Sequence, residues 1–168
     1  MNQRPVGRVV VGGLLFGVCA MSACAGSDRP ARSEVAKGAR RILDTYAWLP
    51  VPATRPEYLT AIQPVERGAG LVEITFVQAD LDVLLCAAQP GVSGPHTSCD
   101  EHRAAMIRST TVQGTSVVIV FLEAAGPAAD KEQDRHLSEP ERAGVRRFWE
   151  YSPFERTPTW LKTAIGQR

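Results

Sequence analysis

The chain has 168 residues, 44% of them hydrophobic and 7% aromatic, with 19 Lys and Arg against 18 Asp and Glu for a formal net charge of +1. That length holds one domain of ordinary size with a core of its own and is short for a two-lobed receptor. A near-neutral balance without a Lys/Arg run lacks the electrostatic footprint that neutralises phosphates, which argues against nucleic acid as a partner.

Residues 1 to 8 carry Arg4 and Arg8 and no acid, and Val9 to Ala23 is an uncharged, mostly apolar run of fifteen. As a helix such a run spans roughly 22 Å, short of the ~30 Å hydrocarbon core of a bilayer. The pattern predicts a cleaved export signal over 1–23 rather than a permanent transmembrane helix. The two arginines are not adjacent, so the general secretory route is expected. The run ends in Met21-Ser22-Ala23-Cys24, two small residues before a cysteine. This stretch resembles the lipobox of bacterial lipoproteins, with Met21 where Leu is commoner. Cys19 follows the bulky, branched Val18, where that family has a small residue, so Cys24 is the candidate. The resemblance covers the first 24 residues only. It implies a diacylglyceryl group on the Cys24 sulfur, cleavage just before it, and a palmitate-type lipid anchor. Two or more acyl chains, at about 0.8 kcal/mol per buried CH₂, attach a domain stably where one does not. The expectation is therefore a signal peptide 1–23, a lipid-anchored tether 24–34 and a single domain 35–168 on the extracytoplasmic face of the cell membrane. An ordinary secretory signal that releases a soluble protein is the alternative.

Asp28 to Arg32 is polar and without periodicity, and Ser33 is placed to cap a helix with Val35, Ala39, Ile42, Leu43 and Tyr46 on one face. Pro50 and Pro52 stop that helix, and Pro56 and Pro64 are expected to keep the next stretch irregular. Leu71 to Gln78 alternates, with Val72, Ile74 and Phe76 against Glu73 and Thr75, as a half-buried strand does. Asp82 to Ala88 reads as the next strand after a turn at Ala79-Asp80-Leu81, with a short helix capped by Asp80 as the alternative. In an oxidising compartment Cys86 and Cys99 form a disulfide by default, closing a loop rich in turn formers at Pro90-Gly91 and Gly94-Pro95. The competing reading is a metal site at His96, Cys99 and His102, which leaves Cys86 a lone thiol.

Ala104 to Gln113 and Thr115 to Ala124 flank Gly114 as a hairpin rich in Val, Ile and Thr. Gly126 to His136 reads as a solvated link. Ser138-Glu139-Pro140-Glu141 fits a capping box that opens a helix reaching about Glu150. A second short helix starts at Thr157-Pro158 and ends near Gly166. Helix, strands and then helices predict an α+β fold, with an antiparallel sheet of about four strands and the helices packed on one face.

The chain has no G-x-S-x-G, no H-E-x-x-H, no phosphate-cradling glycine loop and no dinucleotide fingerprint. Asp80 and Asp82 read as turn acids, and no cofactor or metal is expected. The suggestive feature is aromatic, because Phe148, Trp149, Tyr151, Phe154 and Trp160 crowd thirteen residues. They either dock on the sheet as core or form a patch for a protein, glycan or lipid partner, rimmed by Arg146, Arg147 and Arg156. Within that set Trp160 is expected to be buried and Trp149, beside Arg146 and Glu150, to be half-exposed. The functional expectation is a non-enzymatic binding or assembly role at the membrane surface. Two alternatives stand beside it: a small envelope-polymer hydrolase, which needs two carboxylates about 5 to 10 Å apart, and a carrier whose apolar cavity exceeds ~300 Å³.

Overall fold

The computed structural model describes residues 29–92, 98–123 and 136–166. The expected export segment, Cys24, His96 and most of the 126–136 link lie outside the described residues. Helix α1 spans Arg29–Thr45, and strands β1 (Pro50–Pro52), β2 (Leu59–Gly68), β3 (Leu71–Gln78) and β4 (Leu81–Ala88) follow. A short helix α2 (Ser98–Glu101) and a 3-10 turn (Arg103–Ala105) lead into β5 (Met106–Val112) and β6 (Thr115–Glu123). Helix α3 (Glu139–Tyr151), β7 (Phe154–Arg156) and helix α4 (Thr159–Ala164) close the described chain. The five long strands form an antiparallel sheet in the order β2-β3-β4-β6-β5, and β1 pairs with β7 in a separate ribbon.

Side-chain alternation dictates the layers. Residues directly opposite in the ladder share a face, so Phe76, Val83 and Phe121 stand together, as do Ile74, Leu85 and Ile119. Onto this face pack Val35, Ala39, Ile42 and Tyr46 of α1, Val145 and Trp149 of α3, and Leu161 of α4. On the opposite face Leu84, Cys86 and Val120 are covered by Cys99 and Ala105, a small second cluster. The α+β reading, with the long helices gathered on one face, holds. The sheet has one strand more than expected.

The extra strand is β2, which the prolines had argued against. Pro64 pairs in register with Ile74. It is tolerated because β2 is an edge strand, where a missing N–H does not break a ladder. The start of α1 is a second correction: the helix begins at Arg29, within the expected tether, and Ser33 lies inside it rather than at its cap. Pro30 in a first turn lacks only an N–H that would have no helical partner there.

The disulfide and the capping box are where the sequence puts them. Cys86 and Cys99 are bonded, with 6.2 Å between their Cα atoms, and both are buried. The Cys99 sulfur is thereby removed from the metal reading, and His102 is exposed. Beside the disulfide, buried Glu73 accepts from Arg67 Nη2 at 2.8 Å and from the Ser98 backbone N–H at 3.2 Å. Burial pushes that carboxyl up, but the hydrogen bonds from Arg67 and Ser98 outweigh it, and the net direction is down. Ser138 opens α3 by donating its N–H to Glu141 Oε2 at 2.8 Å.

Candidate functional site

Helix α3 is held to the sheet at both ends of its inner face. Near its start, Asp80 in the β3–β4 turn accepts the Leu137 N–H at 3.2 Å and is paired with Arg142. Farther along, Trp149 is fully buried with its ring tilted against Phe76, the centroids 4.9 Å apart, and its indole N–H donates to Gln78 Oε1 at 2.5 Å. The buried Gln78 amide in turn donates through Nε2 to the Glu57 carbonyl at 2.6 Å. The chain Trp149–Gln78–Glu57 therefore ties three elements that are distant in sequence. The loop after β1 is fixed again where the Ala79 N–H reaches the Tyr58 carbonyl at 3.1 Å and where Tyr58 Oη reaches Glu141 at 3.4 Å.

Between the tied loop and α3 runs an open cleft of about 640 Å³. Thr54, Arg55 and Glu57 form its loop wall, and Gln78 and Val145 its floor. Gly144, Arg147, Phe148 and Tyr151 form the helix wall, and Ser152 closes one end. Tyr151 is 76% exposed, and Arg55, Glu57 and Arg147 are exposed as well. Among the described residues neither the Arg55 nor the Arg147 guanidinium has an ion-pair partner.

Gly144 is the unexpected member. A mid-helix glycine costs about 1 kcal/mol relative to alanine, and proteins accept that cost where a side chain does not fit. A Cβ on Gly38 of α1 would stand 2.1 Å from the Ile62 carbonyl oxygen, so that glycine is demanded by the contact between α1 and β2. A Cβ on Gly144 would meet nothing within 4 Å. No contact among the described residues requires it, and its missing side chain widens the cleft.

The structure divides the aromatic set. Phe148 and Tyr151 reach the cleft together with Arg147. Trp149 does not, and the expectation of a half-exposed Trp149 is corrected: polar residues flank it in sequence, but a helix turns adjacent residues to different faces, and Trp149 continues the inward line of Val145. Trp160 packs against the core while remaining partly exposed, and its indole N–H donates to the Pro52 carbonyl at 2.7 Å. Phe154 lies 4.9 Å under the Arg108 guanidinium, away from the cleft. Arg146 turns to Glu150 at 3.3 Å, and Arg156 donates to the Gln113 carbonyl at 3.2 Å. Arg55, Glu57, Gln78 and Gly144 were missed by sequence reasoning. An isolated glycine within the helical pattern was the one signal present.

The cleft lining has one carboxylate, Glu57, where a hydrolase of the two-carboxylate type needs a pair. Its rim is charged, which does not suit a purely apolar cargo. Among the described residues no three His, Cys, Asp or Glu side chains come together as a metal site, and no helix is long and apolar enough to cross a membrane. Comparison with family models, curated proteins and solved structures finds no match to this chain.

Proposed function

We propose that this chain is a lipid-anchored envelope protein with a non-enzymatic binding role, held on the outer face of the cytoplasmic membrane through Cys24 and presenting the α3 cleft to its ligand. The anchor rests on the short uncharged run and on Ser22-Ala23 before Cys24. The binding role rests above all on Gly144, a helix-weakening residue that no packing contact among the described residues requires, set in a wall beside exposed Tyr151 and Arg147, which has no ion-pair partner among those residues. Ligand sites commonly give up some stability for function, and an exposed glycine in the wall of a cleft fits that trade.

Two independent experiments test the two halves. Cells fed a clickable palmitate analogue should label the wild-type chain, and Cys24→Ala should abolish both the label and membrane retention. An unlabelled wild type, or a retained and normally processed variant, contradicts the anchor. A photo-crosslinking residue at Thr54 should give adducts in cells that the same residue at Ser109, on the far edge strand, does not. Equal yields at the two positions contradict the cleft.

A further inference from the structure

Resting on that reading of the cleft, we infer that its ligand is a short acidic saccharide, recognised by Arg55 and Arg147 through a carboxylate and by Tyr151 through a sugar ring. The size comes first. A volume of about 640 Å³ lies in the range of small-ligand sites and fits a few linked rings rather than a folded surface. The charge is next, since two guanidinium groups without an ion-pair partner among the described residues, against the single carboxylate of Glu57 in the lining, favour an anion, and guanidinium matches a carboxylate with two parallel hydrogen bonds.

Glu57 separates saccharide from peptide. A site for an acidic peptide gains nothing from an acid in its wall, whereas a carboxylate accepts hydrogen bonds from hydroxyl groups. Neither wall offers a peptide what it uses. Strand addition needs a free sheet edge, and the walls are a helix and a loop flanked by Pro52 and Pro56. Helix docking needs a continuous apolar groove, and the apolar lining here is Phe148, buried Val145 and the Tyr151 ring, set among Arg55, Glu57 and Arg147. An exposed tyrosine ring at the helix end supplies a flat, rigid face for the apolar side of a sugar. Gly144 then lets a ring sit against the helix backbone where any side chain would stand in its place.

The test titrates the mature chain, as isolated from cells, with trigalacturonate, the neutral galactose trimer and a tri-aspartate peptide, by calorimetry. Trigalacturonate is expected to bind one to one and at least tenfold more tightly than either of the others. Arg55→Ala and Arg147→Ala should each weaken it tenfold or more. Gly144→Leu should abolish binding with its melting temperature unchanged or raised. No binding of trigalacturonate, or binding that Gly144→Leu leaves intact, overturns the inference. Preferential binding of the aspartate peptide, lost in Gly144→Leu, overturns the saccharide and keeps the cleft as a binding site. If Gly144→Leu changes neither titration nor crosslinking, both readings fail together.

Discussion

Two of the described helices carry a glycine in mid-course, and the molecule uses the two differently. At Gly38 the α1 backbone approaches β2 so closely that a methyl group would overlap the Ile62 carbonyl. At Gly144 the α3 backbone faces open space. Each glycine costs its helix about 1 kcal/mol. At the first, the loss is offset by close burial of α1 against the sheet, with Ala39 and Ile42 at or near complete burial. At the second, nothing within the described fold offsets it. The difference teaches that α3 has a core face like that of α1 and an outer face shaped for something else.

The strongest expected effect probes the core face of α3. Trp149→Ala should lower stability by about 3 to 5 kcal/mol, because it opens a cavity beside Phe76 and leaves the buried Gln78 oxygen without its donor. Urea unfolding measures this, and a loss below about 1 kcal/mol would erase the likeness between the two helices. Gly38→Ala should follow, destabilising by about 1 to 3 kcal/mol as α1 is pushed off β2.

Acid supplies a control away from both helices. Glu73 has a carboxyl held below its ordinary range in the folded state, so its stabilisation is present above the unfolded-state value and is lost as pH falls through the folded-state value. Stability of the wild type should therefore drop below about pH 4.5, and Glu73→Gln should lessen that drop, with Asp80, whose carboxyl is also held below its ordinary range, supplying a further part. An unchanged profile would remove Glu73 as the cause. The smallest effect belongs to the outer face, where Tyr151→Ala should change stability by less than about 0.5 kcal/mol. A larger loss in thermal melting would make Tyr151 structural and narrow the contrast.

Much of this fold was legible in the chain because it obeys local rules. Leu71 to Gln78 alternates, Gly114 turns a hairpin between β-branched runs, and Ser138 and Glu141 form their capping box within the first turn of one helix. The failures came where tertiary placement overrides a local rule. Pro64 reads as a breaker until β2 is known to lie at an edge, and Trp149 reads as half-exposed until its helical face is known. The cleft was only partly legible, through Arg147, Phe148 and Tyr151. Its other wall, Thr54, Arg55 and Glu57, sits in a proline-flanked loop far away in sequence and is brought close by Gln78, whose role is invisible until both of its hydrogen bonds are seen.

Gly144 carries the central claim, and one paired measurement tests it: thermal melting and Thr54 photo-crosslinking of Gly144→Ala and Gly144→Leu beside the wild type. Alanine should stabilise α3 by about 0.5 to 1 kcal/mol, a rise of roughly 2 to 5 °C for a domain of this size, and both variants should crosslink less, leucine the least. A melting temperature that falls with alanine, or crosslinking that survives leucine, would show that Gly144 serves the fold and that the cleft is not held open for a ligand.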